Sequence, residues 1–129
     1  MSSRAFHLLS CAKPHQVWGA LTCPTLSRRF LHGLSAQSSW TTGAPLLLTS
    51  DDASLHGHVL WSDPPRLLSL AIEDASGCCT YLSWQLRAAC AGTVICLTVD
   101  EPGGEPEDLE QLEDTWLPAL HALEAALQE

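Results

Sequence analysis

Residues 105–129 read EPEDLEQLEDTWLPALHALEAALQE. Leu109, Leu112, Trp116, Leu120, Leu123 and Leu127 recur at spacings of 3, 4, 4, 3 and 4, which makes one continuous apolar stripe on an α-helix. Pro106 suits the first helical position, where its missing N–H would be unpaired anyway, and Glu107, Asp108 and Glu110 lie where the helix dipole favours acids. Pro118 removes a bond to the Asp114 carbonyl and predicts a kink, which would let the helix follow a curved surface. A stripe of this length must be buried against a partner layer.

The preceding stretch supplies that layer. Turn-forming clusters divide residues 35–99 into six strands: 35–40, 45–50, 55–62, 67–72, 79–87 and 93–99. Leu82, Trp84 and Leu86 alternate with Tyr81, Ser83, Gln85 and Arg87, and Ile95, Leu97 and Val99 share one face of the last strand. Short connections make this an antiparallel meander. Upstream, residues 4–11 read as a further strand. Two short helices follow, the first opening at Pro14 with Val17, Trp18 and Leu21 on one face. The second opens at Pro24, with Leu26, Phe30 and Leu31 inward, and ends at Gly33.

The expected architecture is a single α+β domain over residues 1–129: a strand, two short helices, six more strands and a long terminal helix across the sheet. A bent sheet gripping one helix tends to leave a space between them, a candidate small-molecule pocket.

Composition sets the bounds. In 129 residues, 46% are hydrophobic and 16% charged, which excludes disorder as the main state, and no apolar run reaches the ~18 residues a membrane span needs. The net charge of −9 argues against binding nucleic acid by phosphate neutralisation. Residues 100–129 carry ten of the fifteen acids and no Lys or Arg. This is a solvated helix face or a docking surface for a basic protein partner. The six cysteines (11, 23, 78, 79, 90, 96) show no C-x2-C spacing and read as reduced structural thiols. Leu8-Leu9-Ser10-Cys11 mimics a lipoprotein cleavage box, but the stretch before it is too short for a signal sequence, so a cytoplasmic chain is expected.

Several motifs in order carry a resemblance. Pro14…Val17-Trp18…Leu21-Thr22…Pro24…Leu26…Arg29-Phe30-Leu31 is followed by Trp40…Gly43, Gly57-His58-Val59-Leu60, Asp63-Pro64-Pro65-Arg66-Leu67-Leu68 and Leu82-Ser83-Trp84-Gln85-Leu86. Gly92-Thr93…Leu97-Thr98 and Trp116-Leu117-Pro118-Ala119-Leu120…Leu123 close the series. Together they resemble the SRPBCC (START-like, birch-pollen-allergen-like) superfamily, and within it the family of homologues of heat-shock-protein ATPase activators. Cys23 stands where that family commonly has an acidic cap, and Phe30 where it has Trp. The resemblance implies a helix-grip fold, a curved seven-stranded antiparallel sheet with the terminal helix over a deep cavity. It transfers no catalytic residue.

The leading expectation is a protein that holds an apolar or amphipathic small molecule between sheet and helix. Leu82, Trp84, Leu86, Ile95, Leu97, Leu112, Trp116 and Leu120 are the candidate lining, with Glu113 or His58 orienting a polar head. The alternatives are a protein-interaction module acting through the acidic helix face, and a cyclase or hydrolase using Glu113 and His58 as an acid/base pair. His56 and His58 share a strand face, but no third ligand is evident, so no metal is expected and no cofactor is implied. Tryptophan usually fills core volume, which is the default for all five. A homodimer is compatible with this reading.

Overall fold

The computed structural model describes residues 2–31, 33–73, 77, 79–101 and 109–128, with backbone only for Ser2 and residues 109–113. Strand β1 (Ser2–Ser10) leads into helices α1 (Pro14–Leu21) and α2 (Pro24–Phe30). The meander is β2 (Ser35–Gln37), β3 (Pro45–Thr49), β4 (Ser54–Asp63), β5 (Leu67–Glu73), β6 (Cys79–Ala89) and β7 (Gly92–Glu101), and α3 (Leu109–Leu127) closes the chain. All seven strands form one antiparallel sheet in the order β1-β7-β6-β5-β4-β3-β2, so the first strand docks beside the last. This is the helix-grip arrangement of an α+β protein.

The elements form where the sequence pattern places them, with differences at their ends. Proline occupies the first turn of α1 and of α2. Gly33, at φ 86°, follows α2 and donates its N–H to the Arg28 carbonyl. Strand β2 stops at Gln37, three residues short of the expected end, and Trp40, in the connection that follows, takes a left-handed φ of 59° that no strand accommodates. Helix α3 runs unbroken through Pro118. The expected start at Pro106 lies outside the described residues.

One sheet face carries the core. In β7, Thr93, Ile95, Leu97 and Val99 are buried while the residues between them are partly exposed; in β6, Leu82, Trp84 and Leu86 are buried. Val59, Leu68, Leu70, Leu46, Leu48 and Phe6 extend this layer across the other strands. Over it lie Val17, Leu21, Phe30 and Leu31 from the short helices and Trp116, Ala119, Leu120 and Leu123 from α3. The Phe30 ring meets Trp84 edge to face, with centroids 6.1 Å apart at 80°. Ser27 ties α2 to the β2 edge: its hydroxyl accepts from the Ala36 N–H at 2.9 Å and donates to the Pro24 carbonyl at 2.9 Å.

Two features of β4 shape the sheet. Gly57 sits so close to β5 that a Cβ there would meet the Ala71 carbonyl oxygen. The register then slips between Val59 and Trp61, a bulge that adds local twist. The bulge also turns Trp61 outward. Val59 pairs with Leu70 on the inner face, whereas Trp61 pairs with Ser69 on the outer one and is 55% exposed. The expectation that every tryptophan fills the core therefore fails at Trp61. Trp18 and Trp40 are half-buried, and only Trp84 and Trp116 are fully interior.

The thiols also differ from expectation. Cys11 and Cys90 are exposed, and Cys23, Cys79 and Cys96 are partly exposed, all of them free. Cys78 lies outside the described residues.

Candidate functional site

The interior is filled at its centre and open at one end. Leu82, Trp84, Leu86, Ile95, Leu97 and Leu120, all expected to line a pocket, are 5% exposed or less and pack against one another. The space lies beyond them, where α3 passes over the far ends of the strands. It is a cavity of about 190 Å³. Its apolar walls are Leu31 and Leu34 after α2, Leu48 of β3, Leu55 of β4, Ile72 of β5 and the Trp116 ring of α3. Its polar lining is Thr80 of β6, Glu101 of β7 and Thr115 of α3. Of the expected lining, Trp116 belongs to this cavity. The side chains of Leu112 and Glu113 lie outside the described residues.

The strand ends explain two of these polar groups. Thr80 pairs with Ile72 in the β5–β6 register, and Glu101 is the last residue of β7. Both are partly exposed, as a rim between core and water requires, and Thr115 is exposed on α3. Strand alternation points two of them inward: Thr80 has the parity of Leu82, Trp84 and Leu86, and Glu101 that of Ile95, Leu97 and Val99. A polar residue at the end of an apolar strand was the available signal, and Glu101 and Thr80 both carry it.

His58 takes no part in the interior. It and His56 are exposed on the outer face of β4, opposite Val59, so His58 cannot orient a molecule held beneath α3. The proposed acid/base pairing of Glu113 with His58 loses its histidine for the same reason. Parity with the apolar Val59 already placed both imidazoles outside. Among the described residues, no group of three His, Cys, Asp or Glu is placed to hold a metal ion, and no helix is long and apolar enough to cross a membrane.

Size limits what the cavity can take. Pockets for drug-sized molecules run from about 300 to 1,000 Å³, whereas an apolar void of about 150 Å³ accommodates benzene. A space of about 190 Å³ suits a single ring or a short branched chain. The lone carboxylate, beside the Thr80 hydroxyl at the strand ends, favours a guest with a hydrogen-bond donor or a positive charge at one end.

A curved sheet holding a terminal helix over a small interior space defines a helix-grip domain. The sequence pattern of one such family, described as "Activator of Hsp90 ATPase homolog 1-like protein", matches residues 11–128, and the chain belongs to that family. Solved structures share the whole fold. Protein MLL2253 from Mesorhizobium loti superposes with a TM-score of 0.82 at 18% identity, over 98% of this chain and 97% of that one. The Aha1 dimer from Colwellia psychrerythraea gives 0.79 at 16% identity, over 98% and 96%. DynU16, from the dynemicin biosynthetic locus, gives 0.84 at 20% identity, over 99% of this chain and 48% of its own. At these identities the likeness speaks to fold alone. No curated protein matches the chain.

Proposed function

We propose that this protein binds a small amphipathic molecule in the cavity beneath α3, with a ring or short aliphatic group against Trp116, Ile72 and Leu55 and a donor or cationic head toward Glu101. The observation that carries the reading is the composition of the space: six apolar and three polar residues line it, with Thr80 and Glu101 at the neighbouring ends of β6 and β7. Apolar burial contributes affinity at about 25 cal/mol per Å², and the carboxylate selects the head group.

Titration with phenethylamine and with toluene, followed by tryptophan fluorescence, tests it. Saturable changes are expected for both. Glu101→Gln is expected to weaken phenethylamine about tenfold and leave toluene unchanged. Ile72→Trp, which places an indole in the cavity, is expected to abolish both. Absence of saturation with either compound, or binding that survives Ile72→Trp, would overturn the proposal.

A second reading rests on the family's description as homologues of an Hsp90 ATPase activator. Asp114 is exposed on α3, in the segment that holds ten acids and no Lys or Arg. If α3 docks a basic partner surface, the protein stimulates the ATPase of an Hsp90 and Asp114→Lys reduces that stimulation. An unchanged ATPase rate removes this reading and leaves the first one standing.

A further inference from the structure

The outer sheet face, which no helix among the described residues covers, holds a groove of about 420 Å³. Arg66 and Arg87 line it together, two of the six basic residues of a chain whose net charge is −9. The fold brings both to one groove although they are 21 residues apart in sequence. The β4–β5 turn ends at Arg66, whose carbonyl accepts the Leu86 N–H at 2.7 Å, and Arg87 is the next residue along β6. Asp63 pins the Arg66 guanidinium through Nη2 at 2.7 Å. A guanidinium carries five N–H donors, so most of them stay available.

Three further residues define what fits. Gln85 of β6 lines the groove beside Arg87, and neither side chain has a hydrogen-bond or ion-pair partner among the described residues. The floor is apolar: Leu67 pairs with Gln85 in β5–β6, and Val94 pairs with Arg87 in β6–β7. Two guanidinium groups and one carboxylate leave one positive charge in excess, next to an amide donor and an apolar strip.

We infer that this outer groove is a second binding site, for an oxyanion (a carboxylate or a phosphate monoester) carried on a flat apolar body. Arg87 and the free edge of Arg66 grip the oxyanion, forked donors matching paired oxygens, and Gln85 adds an amide N–H. The body of the ligand lies over Leu67 and Val94. The site is independent of the cavity beneath α3, on the opposite face of the sheet.

Amide chemical-shift titration of the full chain at low salt provides the test, with phenylacetate, phenyl phosphate and inorganic phosphate as separate probes. Saturable shifts are expected at Arg87, Val94 and Leu67 with the two aromatic probes, and the stronger of these probes identifies the anion type. Inorganic phosphate is expected to bind at least fivefold more weakly than phenyl phosphate. Arg87→Gln is expected to weaken binding about tenfold and the Arg66→Gln/Arg87→Gln double variant to abolish it, with Arg28→Gln, on α2, as a control that changes nothing. Both arginines are exposed, so melting temperatures should stay at the wild-type value. Linear shifts without saturation, or shifts that persist in the double variant, would overturn the site. Equal binding of inorganic phosphate would overturn the role of the apolar floor and with it the ligand class.

Discussion

Trp84 and Trp116 face each other's layers across the same interior, yet they do different things. Trp84 projects from mid-sheet, meets Phe30 edge to face and closes the centre of the core. Trp116 projects from α3 nearer the strand ends, and one side of it borders the cavity. Both are buried, at 2% and 8% exposure. Burial alone therefore does not distinguish a side chain that fills space from one that walls it. The difference lies in what stands opposite: an aromatic ring in one case, and in the other a space bounded by Leu48, Leu55, Ile72, Thr80 and Glu101 at the strand ends.

That contrast can be broken at its strongest point first. Trp84→Ala is expected to cost about 3–5 kcal/mol, since Phe30, Leu82 and Leu97 cannot close over the void, and chemical denaturation would measure it. A loss under about 1 kcal/mol would mean that the centre is as yielding as the cavity end. Gly57→Ala should cost about 1–3 kcal/mol by forcing β4 away from the Ala71 carbonyl, and the same denaturation experiment reads it. Ile72→Trp sharpens the comparison: the cavity end has room for the ring, so stability is expected to change by under about 1.5 kcal/mol, while an equally bulky change in the filled centre, such as Leu82→Trp, should cost more. The smallest effect belongs to the outer face, where Trp61→Thr is expected within about 0.5 kcal/mol of wild type because its ring is more than half exposed.

Much of the fold was legible in the chain. The alternation of Leu82, Trp84 and Leu86 against Tyr81, Gln85 and Arg87 names the inner face of β6, and Tyr81 and Arg87 do lie outside. The stripe through Trp116, Leu120 and Leu123 names the buried face of α3. Legibility failed at irregularities. Strict alternation from Val59 places Trp61 inside, and the extra residue at the bulge reverses it. The same reasoning overestimated the pocket, because every inward apolar residue was counted as lining when most of them touch one another.

Apolar periodicity and turn residues, both short-range properties, were enough to determine seven strands, three helices, the buried faces of β6, β7 and α3, and the need for α3 to cover the sheet. Where the interior stays open depended on how volumes from six separate elements and the segment after α2 add up at one place. Leu31, Ile72, Thr80, Glu101 and Trp116 are scattered through the chain and share no pattern. The proximity of Arg66 and Arg87 likewise came from the tertiary structure: the β4–β5 turn docks on β6, where the Arg66 carbonyl accepts the Leu86 N–H one residue before Arg87, and both side chains border one groove.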